Sequence, residues 1–369
     1  MSNQDQLNPK GRVAVGMSGG TDSSAAAAML VDQGCEVIGL TAHMWKDGSR
    51  CCSLEDVERA RKVCAYLGIR HYVVNAQEIF TSKIVDPFVR EYAAGRTPSP
   101  CIHCNVFVKF GFLLDRAVQL NCDHLATGHY ARVEERDGKY HLLCAKDPQK
   151  DQSYFLHRLN QKQLGSILFP LADLPKADVK AYSDQRGLPV IPRGESQDLC
   201  FVEEGRLPDF VEQRDPSVVK PGEIHDQDGN VVGTHNGLHR FTVGQRGKLG
   251  IALGERMYVS RLDKENNVVE VAPRPGVMKS ECTLADVHWI LGEAPADELH
   301  CEVRPRYRSN GATATVHISD DRAIVHFDEP QFALTPGQAA VFYQAGEVLG
   351  GGWIDEVPDL QSAPKTKVD

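Results

Sequence analysis

The chain has 369 residues, 41% hydrophobic and 25% charged, with a formal net charge of −9; this is the make-up of a globular protein with room for two or three domains. No apolar run reaches membrane-spanning length, and the polar start MSNQDQLNPKGR has no signal-peptide core, so no membrane partner is expected and the expected compartment is the cytoplasm. The acidic balance argues against a globally basic nucleic-acid binder but leaves room for a local basic stripe.

In chain order, residues 12–17 (RVAVGM) read as a buried strand, 22–32 as an alanine-rich helix, and 36–42 (EVIGLTA) as the next strand. Ser53-x-x-Asp56 resembles a capping box opening a helix with Leu54, Val57, Ala60, Val63 and Leu67 on its apolar stripe. Residues 70–75 (RHYVVN) form a third strand and 123–127 (DHLAT) a fourth, after a long helical stretch. Such alternation predicts an α/β fold with a doubly wound parallel sheet, expected over residues 1–205. From 206 to 280, turn signals (PGE, QDGN, HNG, RGKLG) recur between short β-type runs. From 281 to 369, strands such as TATVHIS, AIVHFD, AAVFY and VLGGGWI follow, so two smaller β-rich modules are expected, the last a β-barrel. The final ten or so residues read as disordered.

At the first strand–helix junction stands Gly16-Met17-Ser18-Gly19-Gly20-Thr21-Asp22-Ser23-Ser24. Glycines let backbone N–H groups approach a phosphate, the following helix N-terminus favours negative charge, and Asp22 offers a carboxylate for Mg2+. The loop lacks the GK[ST] ending of a Walker A motif and the G-x-G-x-x-G spacing of a dinucleotide site. A turn that merely caps a helix is the bland alternative, but ligands bind at this position of a parallel sheet. The stretch resembles the PP-loop of the ATP pyrophosphatases, which use ATP to adenylate a carbonyl-type oxygen and release pyrophosphate.

Further strings follow in order: Ala94-Gly95-Arg96-Thr97-Pro98, Cys104-Asn105 with Lys109-Phe110, Ala126-Thr127-Gly128-His129-Tyr130, Lys150-Asp151-Gln152-Ser153-Tyr154-Phe155 and Cys200-Phe201. Then come Pro221-Gly222, Gly244-Gln245-Arg246, Arg306-Tyr307-Arg308 and Thr335-Pro336-Gly337-Gln338. With these strings the chain resembles the tRNA-specific 2-thiouridylases from about residue 12 to 355. The resemblance implies an enzyme that adenylates O2 of the wobble uridine in the anticodon arm of tRNA and replaces it with sulfur, giving 2-thiouridine, AMP and pyrophosphate. It implies an ATP site at Gly16, Met17, Ser18, Gly19, Gly20, Thr21, Asp22 and Ser23, with Ala42 and Gly128. It places Ser99, Pro100 and Cys101 beside the target base, and His129, Lys150, Asp151, Gln152, Arg306, Tyr307 and Gln338 against tRNA. Taken alone, His129 reads as a satisfied histidine and Lys150–Gln152 as a solvated turn. Arg304, Arg306 and Arg308 alternate along an expected strand, which would put three guanidiniums on one face.

Eleven cysteines in a reducing compartment are thiols or ligands, not a disulfide framework. Cys35, Cys64, Cys122 and Cys144 read as core fillers, and Cys51-Cys52 as structural or incidental, with an accessory metal or sulfur-handling role as the lesser reading. A helix expected to begin near Val106 would put Cys104 by its N-terminus, which favours the thiolate. The resemblance assigns Cys104 as nucleophile and Cys200 as persulfide carrier in a branch where position 101 is aspartate. Here position 101 is cysteine, and Cys101, Cys104 and Cys200 could instead hold three irons of a 4Fe–4S cluster, leaving the fourth iron open for hydrosulfide. Cluster binding is the expected reading and the persulfide route its alternative, with sulfur from a donor protein or sulfide. A closed zinc site would need a fourth ligand, which His103, wedged between two cysteines, supplies poorly. The competing functions are another PP-loop enzyme acting on a small molecule, and a non-catalytic RNA-binding protein with a structural metal.

Overall fold

The computed structural model describes residues 11–45, 54–190, 199–251 and 253–358. The expectations for Cys51-Cys52, Ser53 and the C-terminal tail lie outside those residues. Seven strands come from the first half of the chain: β1 (Arg12–Gly16), β2 (Glu36–His43), β3 (Arg70–Asn75), β4 (His124–Ala126), β5 (Arg132–Arg136), β6 (Lys139–Leu143) and β7 (Ile167–Leu168). Five of them build the parallel sheet, in the order β3-β2-β1-β4-β7. Its central strand is apolar after Arg12 because both faces are covered, and Val13, Ala14 and Val15 are fully buried. The alanines of α1 (Thr21–Asp32) let that helix lie close to its neighbours: Ala27 joins the cluster of Val13 and Val15, while Ala25 and Ala26 meet Tyr130 and Leu171. In α2 (Leu54–Tyr66), Val57, Ala60 and Val63 are buried but Leu54 is 66% exposed, so the apolar stripe starts one turn later than expected. Cys64 and Cys122 are buried and Cys35 and Cys144 half-buried.

One helical rod differs from expectation. It is α-helical over Pro100–His103, π-helical over Cys104–Phe112 and α-helical again over Leu113–Gln119. The rod therefore begins six residues before Val106, because Pro100 presets a helical φ and lacks only an N–H that a first-turn residue cannot use. Cys101 lies in the first turn and Cys104 one turn further in. The wider winding also explains Gly111, where a Cβ would stand 2.8 Å from the Val106 carbonyl oxygen.

The middle of the chain forms a four-stranded sheet, β10-β11-β8-β9, from β8 (Gly222–His225), β9 (Val231–His235), β10 (Met257–Asp263) and β11 (Val268–Pro273). The last part supplies β12 (Met278–Trp289), β13 (Glu298–Arg304), β14 (Ala312–Ser319), β15 (Arg322–Phe332), β16 (Ala339–Gln344) and β17 (Glu347–Ile354). These six close into an antiparallel barrel, since β12 pairs with both β15 and β17. The β5–β6 hairpin, early in the chain, adds to the same sheet: Leu142 and Leu143 pair with Val348 and Glu347 of β17.

The AGRTP string fastens the first part of the chain to the barrel. Arg96 donates to Glu91 (2.9 Å), to the Ile354 carbonyl (3.0 Å) and to Asp355 (3.3 Å). The Thr97 N–H donates to Pro336 O at 2.9 Å. Gly337, with φ +92°, is held where a Cβ would lie 3.0 Å from Thr97 backbone atoms. Nearby, His157 is fully buried beside Trp353; its Nδ1 meets Tyr154 O at 2.9 Å, and Gly351 leaves the room its ring needs.

Burial holds the His157 imidazole neutral, pulling its pKa from 6.5 to about 3. The unfolded chain therefore takes up a proton below pH 6.5 that the folded chain refuses, so stability is whole above that pH and drains away as pH falls toward 3. Between pH 6.5 and 5 this group removes about 2 kcal/mol. Urea midpoints across that range will fall with pH, and a His157→Leu variant will show a slope shallower by about one proton.

Candidate active site

The phosphate loop hangs from the C-terminal end of β1. Its first amide is locked by the sheet: Met17 N–H donates to Leu40 O (2.9 Å) and Thr41 Oγ1 donates to Met17 O (2.8 Å). Gly19 has φ +73°, and a Cβ there would stand 2.8 Å from Asp56 O, so no other residue fits between the loop and α2. Ser23 Oγ accepts from the Ser18 N–H at 3.2 Å and donates to Gly20 O at 3.1 Å, fixing the loop's curvature. Gly20 occupies the N-cap position and supplies no side-chain acceptor, so the first amides of α1 are left for an anion. Ala42 is buried near the end of β2.

Four residues after β4 connect this loop to everything else. A Cβ on Gly128 would lie 2.7 Å from both Asp22 C and Ser23 N, so the chain here presses directly on the first turn of α1. His129 is clamped on both ring nitrogens, by Thr127 Oγ1 (2.7 Å) and Lys109 Nζ (3.2 Å). An ammonium only donates, so Nε2 accepts and the proton sits on Nδ1. Burial, then the Lys109 charge, holds His129 far below the usual imidazole range, and it is neutral. Tyr130 donates its hydroxyl to Asp22 Oδ1 at 2.9 Å. Its backbone exchanges two bonds with Gln152: Tyr130 N–H to Gln152 Oε1 (3.0 Å) and Gln152 N–H to Tyr130 O (2.8 Å).

Two adjoining cavities result. One, of about 750 Å³, has Asp22, Lys150, Lys176 and Arg304 on its walls. The other, of about 640 Å³, is lined by Cys101, Cys104, Cys200, Lys109 and His129. Gln152, Tyr307 and Arg308 line both. Cys104 is buried, Cys200 half-buried and Cys101 exposed. Cys200 is held by its neighbour: the Phe201 ring packs among Phe80, Phe88 and Phe210 at 5.1–5.6 Å. Cys104 is followed by buried Asn105, whose Nδ2 donates to Phe155 O at 3.0 Å. The exposed helix terminus adjoins Cys101, not Cys104 as the sequence suggests, because the rod starts at Pro100.

Other expected residues take different places. Arg304 ends β13, and Arg306 and Arg308 lie in a turn, so the three do not share a strand face; Pro305 has no N–H to continue the ladder. The Asp151 carboxylate is buried and accepts from Ala145 N–H (3.0 Å), Ser153 Oγ (2.9 Å) and Arg304 (3.2 Å). Gln338 donates its side-chain amide to Thr97 O at 2.8 Å. Arg306 is exposed, near the Phe332 ring, and the Tyr307 ring centroid is 4.3 Å from that of Phe155. Ser99 precedes the rod at its N-cap position. Lys176, which pairs with Asp22, was not legible in the sequence: it is one lysine after a proline, 154 residues away. Tyr130, which ends the ATGHY motif, is a second partner of Asp22 that the sequence does not mark.

A glycine loop at the first βα junction of a parallel sheet, opening on a cation-lined cavity beside a thiol-lined one, defines an ATP-using enzyme of the PP-loop class. Residues 11–204 match the family described as tRNA methyl transferase HUP domain, 208–273 the tRNA methyl transferase PRC-barrel domain, and 279–354 the aminomethyltransferase beta-barrel domain. The tRNA-specific 2-thiouridylase MnmA of Nostoc punctiforme is 46% identical over 350 residues, 94% of this chain and 99% of the relative. That of Geobacter metallireducens is 45% identical over 356 residues, 93% and 96% of the two chains. The chain belongs to the tRNA-specific 2-thiouridylase family. Among solved structures, the U34-tRNA thiolase NcsA from Methanococcus maripaludis with its 4Fe–4S cluster overlaps 58% of this chain and 69% of its own, at TM-score 0.36 and 21% identity.

The Gly128 contact yields a prediction. Gly128→Ala will push back the first turn of α1 and weaken ATP binding at least about tenfold, as a displaced set of charged hydrogen bonds requires. Calorimetric titration with ATP, beside an unchanged circular dichroism spectrum, checks it.

Proposed function

We propose that this chain replaces O2 of the wobble uridine of tRNA with sulfur in two stages, each served by one of the adjoining cavities. The coarser part, ATP-dependent 2-thiouridylation of tRNA by a sulfurtransferase, follows from family membership. The observation that carries the rest is the pair of cavities sharing Gln152, Tyr307 and Arg308, one reaching Asp22 and the other three cysteines. A uracil oxygen is a poor leaving group; its attack on the α-phosphorus of ATP converts it into part of an adenylate and releases pyrophosphate. Residues Gly16 to Ser23, with Ala42 and Gly128, would hold the nucleotide. Asp22 suits Mg2+ as a single partly exposed carboxylate at the loop, to be completed by ATP's own phosphate oxygens; bound there, the ion would neutralise phosphate charge.

For the second stage we favour the persulfide route. A terminal sulfur on Cys200 attacks C2 and AMP departs. Cys104 thiolate then attacks Cys200 Sγ, the electron pair of the broken S–S bond stays on the uridine sulfur, and a Cys104–Cys200 disulfide remains for an external thiol to reduce. The sulfur would come from a donor protein or sulfide. The cluster route has in its favour that Cys101, Cys104 and Cys200 line one cavity. However, among the described residues no three His, Cys, Asp or Glu side chains stand together as a set able to hold a metal. The cysteines as arranged do not fit a preformed cluster site, and no step here uses one.

Ser99, Pro100 and Cys101 would flank the base, Lys150, Arg306 and Tyr307 would meet the anticodon arm, and His129, clamped on both ring nitrogens, would act there by holding Lys109 in place. Asp151 and Gln338, whose side chains are engaged internally, would act by holding their loops. The working partition is a catalytic module over 1–205, a tRNA-binding module over 206–280 and a barrel over 281–369. Among the described residues no helix is long and apolar enough to cross a membrane, and we propose action in the cytoplasm.

Two measurements test the proposal. With unmodified tRNA, ATP and a sulfur donor, nucleoside analysis will find 2-thiouridine at the wobble position; ATP turnover indifferent to tRNA would reject it. Cys104→Ser and Cys200→Ser will each abolish thiolation yet retain tRNA-dependent pyrophosphate release. Cys101→Asp, purified anaerobically beside the unaltered chain for iron and sulfide analysis, will still thiolate without iron; loss of both iron and thiolation would instead establish the cluster.

A further inference from the structure

Cys104 stands where the rod changes its winding. Its N–H is shared between the Pro100 and Cys101 carbonyls, and the π-helical stretch begins at Cys104 itself. Moving that change by one residue would turn the thiol about the rod axis, so the residues on either side of it matter. Asn105 is held by the Phe155 carbonyl. His103 is held by the barrel: its ring stacks on Trp353 of β17, with centroids 5.0 Å apart and planes at 26°. Burial, then the Arg158 charge, keeps the His103 pKa below the usual imidazole range, so the stacked ring is neutral. Trp353 is fixed in turn. It pairs with Ala285 across the barrel ladder, and the Arg158 guanidinium lies 5.6 Å from its ring. Arg158 donates to Asp286 O (2.7 Å) and Asp286 Oδ2 (2.8 Å), where the register of β12 shifts. Cys101 and Cys104 line the 640 Å³ cavity, whereas His103 and Trp353 line another of about 240 Å³. Neither ring lines a cavity assigned to substrate, so any effect on the reaction passes through Cys104.

We propose that Trp353 is a positioning residue of the sulfur-transfer stage: by stacking on His103 it fixes where the rod changes winding, and so aims the Cys104 thiolate at Cys200 Sγ. The inference rests on the persulfide reading above. In that step Cys104 Sγ forms a new S–S bond with Cys200 Sγ. The bond from Cys200 Sγ to the transferred sulfur breaks, and its electron pair leaves on the uridine sulfur. Attack runs along the line of the breaking bond, so a small turn of Cys104 costs rate. Adenylation belongs to the phosphate loop and the other cavity and does not depend on this stack. The last barrel strand thereby completes a thiol site built by the first half of the chain.

The full-length chain would be compared with Trp353→Leu, Trp353→Phe, His103→Leu and the double variant Trp353→Leu/His103→Leu. Each would receive unmodified tRNA, ATP and glutathione persulfide as sulfur donor, in a single turnover. Trp353→Leu should form 2-thiouridine and the Cys104–Cys200 disulfide about three- to tenfold more slowly, the rate equivalent of one aromatic pair. Its tRNA-dependent pyrophosphate release should stay within about twofold of the unaltered chain. Trp353→Phe keeps a stacking ring and should recover most of the rate. His103→Leu should copy Trp353→Leu, and the double variant should lose no more than either, because all three remove the same contact. Pyrophosphate release that falls in parallel, a Trp353→Phe variant as slow as Trp353→Leu, losses that add in the double variant, or no loss would each overturn the proposal. If Trp353→Leu does not fold, His103→Leu decides: thiolation at the full rate overturns the proposal, and the selective loss supports it. An unaltered chain that thiolates without forming the Cys104–Cys200 disulfide would instead refute the persulfide reading beneath it.

Discussion

The structure turns on one close approach, the backbone of Gly128 lying against Asp22 and Ser23. It is possible only without a side chain, and it sets four consecutive residues to four tasks. Thr127 orients His129; Gly128 makes the approach; His129 reaches Lys109 on the cysteine rod; Tyr130 reaches Asp22 and Gln152. A nucleotide loop and a thiol cavity are thereby fixed relative to one another through main-chain geometry, more rigidly than long side chains alone could hold them.

The same economy shapes the cysteines. Neither Cys104 nor Cys200 is placed by contacts at sulfur alone. Buried Asn105 is bonded to the Phe155 carbonyl beside the first thiol, and Phe201 is locked in an aromatic cluster beside the second. Cys101, exposed at the rod's first turn, stands between buried Pro100 and Ile102, the latter part of the main core. All three thiols are set by neighbours buried in packing, and of the three Cys101 is the exposed one.

Much of this was legible in the sequence. Parallel strands buried on both faces announce themselves as apolar runs, and the glycine loop follows from its position after the first of them. The family resemblance is legible because its short motifs stand in order from the phosphate loop to Gln338. What could not be read was which strings touch a ligand and which hold the protein together. Gln338 and Asp151 carry polar groups that suit RNA, yet their partners are Thr97, 241 residues away, and Arg304, 153 away. Arg306 and Arg308 left the expected strand because one proline ended it. The rod's start is hidden in the sequence because a proline opening a helix looks locally the same as one ending a loop. Lys176 was invisible because an ion pair across 154 residues leaves no periodic trace.

The hairpin of β5 and β6 has a consequence for how the chain is made. The edge of β6 is satisfied by β17, whose residues 347 and 348 follow it by some two hundred positions. As the polypeptide leaves the ribosome, the early part can assemble its parallel sheet but carries an unpaired ribbon until nearly the last strand emerges. Such a long-separated pairing slows folding, and an interrupted chain would be left with an open β edge, the surface by which incomplete proteins stick to one another. Completion of the barrel therefore doubles as a checkpoint on synthesis: only a chain translated past residue 348 covers that edge of β6.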